Sequence, residues 1–353
     1  MKYYYNLDGV RALAALMVLV QHFFFSENVK YLEGLIHYQK FAQIGQHGVS
    51  LFFCLSGFVI TRILINTKFE NDYFINFYKR RALRIFPLYY LGLFAYYFVF
   101  PIMFNEDIVD FKLQMPYYFY LQNFTEVLKI DAIGPIHYWS LAVEEHFYLL
   151  WPLVVFVVKP KHIWKFIIFS FIIILSLKYY MLSKELTINY FTFTRIDQIM
   201  FGAFLAILEM RNFFNLKSTA KTMFFSGFLF LLFGAIINLI GSELFFVKEI
   251  FKYPILGLFF SCLIGFLISL SETHLINRIL KSKILQYLGR ISYGIYVWHV
   301  LALAILNKVY VSGFLLFDFF LTLILTILIS HLSFFYFENY FLKFKKKRSN
   351  LNP

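Results

Sequence analysis

Apolar runs close to 20 residues long recur about ten times along this chain, and each could cross a hydrocarbon layer of roughly 30 Å. A soluble protein of 353 residues has room to hide one or two such runs, not this many. Composition points the same way. Only 15% of the residues are charged and 22% are aromatic, whereas soluble domains carry about 25% charge. The chain therefore reads as an all-α, polytopic membrane protein. Spans are expected at about 9–26, 47–66, 85–104, 137–158, 163–182, 194–210, 222–240, 253–270, 291–308 and 315–337.

The net charge of +13 invites a nucleic-acid reading, but the placement of the cations argues against it. Lys68, Lys79, Arg80, Arg81, Arg84, Lys159, Lys161, Lys165, Arg211, Lys217, Lys221, Arg278, Lys281, Lys283, Arg290 and the tail from Lys343 to Arg348 all fall in alternate connections. The other connections hold few cations, such as Lys30, Lys40, Lys112, Lys129 and Lys184, diluted by carboxylates. This is the positive-inside pattern for ten spans with both termini in the cytoplasm. It makes the acidic lipid surface the default partner and leaves no role for nucleic acid. The small residues Ala12, Ala14 and Ala15 precede the first apolar run, the wrong order for a cleaved leader. One transmembrane domain over 1–342 and a basic cytoplasmic tail over 343–353 are expected. Cys54 and Cys262 both fall in spans and read as buried apolar residues without a disulfide.

Ionisable groups within a span are costly, so each asks for a reason. Arg11 and His22 are eleven residues apart, which leaves them roughly 20° apart around a helix and about 16 Å apart along it. One helix would display a cation near the cytosol and a proton-transfer group in the outer half. A snorkelling arginine with a hydrogen-bonded core histidine is the plainer account. Arg81 and Arg84 are three apart and share a face, as a phosphate clamp would require, although loop ends also collect arginine. Ser140, Glu144 and Tyr148 share another face at four-residue spacing, with Glu145 pointing elsewhere. Arg195 and Asp197 open the sixth span, where they could pair to anchor a helix end or join a site, and His299 sits in the ninth. By depth, His22, His47, His137, Glu144, Arg195 and Asp197 map to the outer half, and Arg11, Arg62, Arg81 and Arg84 to the inner half. A ligand anionic at one end and reactive at the other would bridge those levels, and acyl-CoA has that shape.

Other signals fail. Ser218-Thr-Ala-Lys221 has the Ser-x-x-Lys spacing of penicillin-binding enzymes without the rest of that signature. There is no Gly-x-Ser-x-Gly elbow or Walker loop, and the His and Cys spacings offer no zinc site, so no metal is expected. His37 and His47 read as ordinary interfacial residues.

Taken in order, several stretches resemble the integral-membrane acyltransferase 3 family. They are Leu7-Asp-Gly-Val-Arg-Ala-Leu-Ala14 running on to His22, Gly48 to Thr61, Arg81-Ala-Leu-Arg84, Trp139 to Pro152, Arg195 to Ala203, and Leu288 to His299. The resemblance implies about ten core helices, an acyl-CoA donor (usually acetyl-CoA) as co-substrate, and a carbohydrate hydroxyl at the outer face as acceptor. It implies essential roles for Arg11, His22, Arg81 and Arg84, with Glu144 and Asp197 as site members. Ser140, Arg195 and His299 are candidate supports. Many relatives carry a C-terminal esterase-like domain; its absence after the basic tail is expected here, leaving direct transfer or delivery to a separate extracytoplasmic transferase. Direct transfer, with Glu144 orienting His22, and a covalent acyl-enzyme on His22 or a tyrosine are both open. Outside enzymes, a lipid-linked sugar flippase or a membrane scaffold would also carry buried charges; acyl transfer from labelled acetyl-CoA separates the three.

Overall fold

The computed structural model describes residues 2–26, 39–40, 42–211, 216–239, 244–310 and 312–346. Lys30, His37 and the tail beyond residue 346 lie outside the described residues. The helices that frame the bundle are α1 (Asn6–Phe24), α2 (His47–Thr67), α3 (Tyr73–Phe94), α4 (Trp139–Val157), α5 (Ile163–Ser183), α6 (Thr192–Met210), α7 (Leu216–Leu239), α8 (Phe245–Ser269), α9 (Lys283–Arg290), α10 (Ser292–Val309) and α11 (Leu315–Leu332). Among the described residues there is no strand.

Eight helical segments are long and apolar enough to cross a membrane, and α9 with α10, bent by 72° at their junction, forms a ninth. The remaining expected span is α6, which carries Arg195, Asp197 and Glu209 and is too charged to qualify by composition alone. It is nevertheless buried over most of its length. One expected boundary moves with consequence. The third span begins at Tyr73 and runs on to Phe104 through a π-helical turn, so Arg81 and Arg84 lie within the helix instead of at a loop end. The last span likewise continues through a π-helical turn, Ser333–Glu338, to Lys343.

Helix α2 is the centre of the bundle, 72% buried in its span, whereas only 11% of the α7 span is covered and its Phe-rich surface faces outward. In water that exposure would be prohibitive; in lipid it is the solvated state. Small residues set the closest approach. A Cβ on Gly57 would overlap the carbonyl of Ile199, and one on Gly202 would overlap that of Cys54, so α2 and α6 meet backbone to backbone. Cys54 lies buried in this seam with its Sγ near the carbonyls of Gln198 and Gly257, and both cysteines are free thiols.

Contacts gather the basic connections at one end of the bundle. Arg62 donates to the Lys2 carbonyl at 2.9 Å and to Glu209 at 3.0 Å, Lys68 Nζ to the Val158 carbonyl at 2.9 Å, and Arg211 to the Lys161 carbonyl at 2.7 Å. At the opposite end Lys308 pairs with Glu106 at 2.6 Å, and His22 closes the last turn of α1. The segment 105–136 is not a free loop. Tyr97 donates to the Ile133 carbonyl and Tyr89 to that of Tyr117, pinning it onto α3 and its extension.

Candidate active site

Between α1, α2, α3, α4 and α10 lies a cavity of about 170 Å³, reached by side chains from both halves of the bundle. Arg11, Arg81 and Arg84 line it together with Ser140, Glu144 and Glu145. The paired spacing of Arg81 and Arg84 delivers both to one face, as three residues on a helix must. Their surroundings differ. Arg84 stands 3.8 Å from Glu338, held in the π-helical turn that extends α11. Arg81 has a buried Nε with no hydrogen-bond partner among the described residues, and Glu145 has an unpartnered buried Oε1. An unpaired buried guanidinium nitrogen is expensive, and an anionic ligand would satisfy it. Arg11 pairs with Asp8, which also accepts from the Tyr3 hydroxyl at 2.6 Å. The two carboxylates of α4 both reach the cavity, contrary to the expectation that Glu145 points elsewhere, because the cavity is wide enough to touch two adjacent positions of the helix.

Glu144 does not reach His22. Its Oε2 accepts from the Tyr148 hydroxyl at 3.0 Å, and that hydroxyl lies 2.5 Å from Ser56 Oγ. The residue that meets His22 is His299, whose Nε2 is 3.1 Å from His22 Nδ1. The reason is depth: α10 brings its histidine level with the end of α1, while Glu144 sits lower on α4. His137 completes a three-ring cluster, with ring centroids 5.9 Å from His22 and 4.8 Å from His299. Among the described residues no group of this kind is arranged to hold a metal ion.

The cluster's carbonyl partners settle where the protons sit. His299 Nδ1 lies 2.7 Å from the Tyr296 carbonyl and 3.1 Å from that of Ile295. A carbonyl only accepts, so Nδ1 carries the hydrogen, and Nε2 of the neutral ring is left as an acceptor. His22 Nδ1, 3.0 Å from the Val18 carbonyl, carries its hydrogen for the same reason and shares it with His299 Nε2. The lone pair of His22 is therefore on Nε2, which has no hydrogen-bond partner among the described residues. Were a proton to arrive there, both Nδ1–H contacts would strengthen on the resulting cation.

Tyr296 joins the cavity to this cluster. Its ring lies 5.6 Å from His137 and 5.7 Å from His299, and its hydroxyl is 2.8 Å from the His137 carbonyl. The same hydroxyl is hydrogen-bonded to Ser140 Oγ. Ser140 is thus brought into the site, as a latch across the end of the cavity.

Two expected members stand apart. Asp197 is fully buried, but its carboxylate is taken by Lys178 at 2.5 Å, both side chains lacking any solvent exposure. Arg195 does not pair with it. Arg195 stacks on the Tyr253 ring at 3.5 Å and donates to the Asn189 carbonyl and Gln198. Both residues tie α6 to its neighbours away from the cavity. Sequence reasoning passed over Lys178, although a lysine inside an apolar run was a visible signal, and over Glu338 and Tyr296, which gave none.

An arginine-lined cavity inside a bundle of membrane-spanning helices, with a three-histidine cluster beyond Tyr296, is the site this fold presents. The chain belongs to the family described as acyltransferase domain, whose model matches residues 4–334. It is similar to the O-acetyltransferase OatA of Staphylococcus aureus (strain NCTC 8325 / PS 47), 27% identical over 96% of this chain and 57% of that protein. It is also similar to the peptidoglycan O-acetyltransferase OatA of Listeria monocytogenes, 29% identical over 84% of this chain and 49% of that one. A putative O-acetyltransferase of Staphylococcus aureus (strain COL) is 26% identical over 100% and 59%. The chain thus spans about half to three-fifths of the length of these relatives. No solved structure matches.

Proposed function

We propose that this chain moves an acyl group, acetyl in the simplest case, from cytosolic acyl-CoA to a hydroxyl of a cell-envelope carbohydrate. On this reading the basic end faces the cytosol and the histidine end faces outward, across a bacterial inner membrane. The observation that carries the reading is the cavity lined by Arg81, whose buried Nε has no hydrogen-bond partner among the described residues, and whose far end abuts the His22 cluster through Tyr296.

The phosphates of CoA would meet Arg81, Arg84 and Arg11, with the extended pantetheine arm running up the cavity toward Ser140 and Tyr296. For the thioester to reach His22, the Ser140–Tyr296 hydrogen bond opens. His22 Nε2 takes the proton of the acceptor hydroxyl as its oxygen attacks the thioester carbonyl carbon. The C–S bond then breaks, the acyl group stays on the acceptor oxygen, and the CoA thiolate recovers the proton from the imidazolium. His299 holds the Nδ1–H throughout, the role first expected of Glu144.

General base catalysis contributes about 10²–10⁴-fold in rate. Full-length protein in proteoliposomes, given radiolabelled acetyl-CoA and a glycan acceptor, should transfer label, and His22→Ala at equal abundance should lose transfer by that factor. Undiminished transfer by His22→Ala would reject the role, and no acetyl-CoA-dependent labelling by the unaltered protein would reject the activity.

A further inference from the structure

A second cavity, of about 180 Å³, opens at the end of the bundle opposite the basic one. Its walls come from the 105–136 segment, from the turn that leads into α4 and from the connection between α5 and α6. Two features of its lining are unusual. Gln122 and Asn123 are 8% and 4% exposed, yet Gln122 Oε1 and Asn123 Oδ1 have no hydrogen-bond partner among the described residues. The amide orientation of Gln122 is not arbitrary. Its Nε2 donates to the Tyr138 carbonyl at 2.9 Å and to the Tyr89 hydroxyl at 3.3 Å, so only nitrogen can face that way and oxygen faces the other. The Asn123 Nδ2 faces Thr192 Oγ1, itself 2.8 Å from His146 Nδ1. Gln122 Oε1 is thereby fixed as a buried acceptor, and the amide oxygen of the next residue, Asn123, also has nothing among the described residues donating to it. Such groups are rare in folded proteins and call for a donor.

The remaining lining narrows the kind of donor. Trp139 and Tyr190, with ring centroids 5.2 Å apart, form an aromatic corner, and Glu126 and Thr187 stand on the rim. A single water needs roughly 10–15 Å³ by the same measure, so the space exceeds what one or two bridging waters require. Aromatic rings beside a few fixed acceptors, without an unpaired cation in the lining, suit a neutral ligand with apolar C–H faces and several hydroxyl donors. A pyranose ring is such a ligand. The position is equally telling: Ile136 and Trp139 line this cavity while His137, between them, belongs to the His22 cluster. One turn of chain thus separates the two.

We infer that this outer cavity is the acceptor subsite, which holds one sugar residue by hydroxyl donation to Gln122 Oε1 and Asn123 Oδ1 against Trp139 and Tyr190. The inference rests on the proposed acyl transfer for its purpose, but binding can be read without transfer. The sugar stays chemically unchanged in the pocket and presents a neighbouring hydroxyl toward His22.

The probe is a soluble, neutral oligosaccharide of N-acetylglucosamine, added to full-length protein in nanodiscs. Saturation-transfer NMR should show contact between the sugar ring protons and the unaltered protein. Tyr190→Ala and Glu126→Ala alter partly exposed residues and leave the helices intact; Asn123→Ala removes a buried acceptor. Each should weaken the sugar signal, and in the transfer assay raise the KM for oligosaccharide at least about tenfold while the KM for acetyl-CoA holds. No saturation transfer to the unaltered protein overturns the subsite, as does a sugar signal undiminished in Tyr190→Ala and Asn123→Ala together. Binding that depends on these residues with no acetyl-CoA-dependent transfer would retain the subsite and reject the acyltransferase reading.

Discussion

Replacing His299 with phenylalanine tests the tautomer argument directly. Phenylalanine keeps the planar ring and its packing against Tyr296 and His137, but removes the Nε2 acceptor 3.1 Å from His22 Nδ1. His22 would then rely on the Val18 carbonyl alone, a contact within its own helix that restrains the ring less. A hydrogen bond to a group that becomes charged is worth about 1.5–3 kcal/mol. If that difference falls entirely on the transition state, in which His22 is becoming an imidazolium, kcat drops by roughly 10- to 150-fold. The KM for acyl-CoA should stay put, since Arg11, Arg81 and Arg84 are untouched. His299→Gln supplies a side-chain oxygen near the position of Nε2 and should recover part of the loss. Steady-state transfer of labelled acetyl groups in proteoliposomes, normalised to folded protein by size-exclusion fluorescence, measures both. A His299→Phe enzyme within twofold of normal kcat would refute the orienting role. So would a loss equal in the Phe and Gln variants, which would point to packing instead.

Three further outcomes rest on contrasts within the structure. Arg81→Ala should raise the KM for acyl-CoA more than Arg84→Ala, because Arg84 is already partly engaged by Glu338 while Arg81 Nε lacks a partner among the described residues; equal effects in the same kinetic assay would undo that distinction. Lys178→Met should cost about 3–5 kcal/mol by stranding the buried Asp197 carboxylate, and Lys178→Met with Asp197→Leu should regain most of it; thermal melting of detergent-solubilised protein reads this, and an undisturbed single variant would contradict it. Burial, with added repulsion from Arg84, Arg81 and Arg80, pushes the Lys345 ammonium down to about 7. Because its pKa is depressed, Lys345 is neutral above that value and gains its charge below it. Lys345 lines a neighbouring cavity with Lys79 and Arg80 and feels the charge of Arg81 and Arg84, so phosphates held by those arginines would favour its charged form, and acyl-CoA binding should take up a proton and tighten about three- to tenfold as pH falls from about 8.5 to 6.5. Lys345→Met should flatten that dependence in a filter-binding titration.

The helical bundle could be foreseen because lipid imposes a length and a polarity that any spanning helix must meet, and the positive connections ordered the spans along the chain. Charge within a span was informative in both directions. Arg11, expected within a span, lines the arginine cavity, and His22 lies in the histidine cluster beyond it, while Arg81, expected at a loop end, lines the cavity from within a helix. Asp197 met the same criterion and went to a structural pair, because a partner, Lys178, lay within reach on the preceding helix. Periodicity placed Ser140, Glu144 and Tyr148 on one face but could not say which neighbouring helix that face meets, so Glu144 was assigned to His22 when depth gave that place to His299. The outer cavity was invisible in the sequence for a different reason. Gln122 and Asn123 are ordinary loop amides until the fold buries them and uses up only their nitrogens.

The glycine contact between α2 and α6 has a bearing on turnover. With Gly57 against the Ile199 carbonyl and Gly202 against that of Cys54, the two helices leave no room between them for even a Cβ. One wall of the arginine cavity, the side built from Phe52, Ser56 and Ile60, is thus on a helix packed backbone to backbone against its neighbour. On the opposite wall α10 departs from α9 at a 72° bend beside Ile291 and carries Tyr296 and His299 one turn apart. A small swing about that bend would lift the tyrosine off Ser140 and shift the histidine's grip on His22 in the same stroke, so that admitting the donor and tuning the base become one motion.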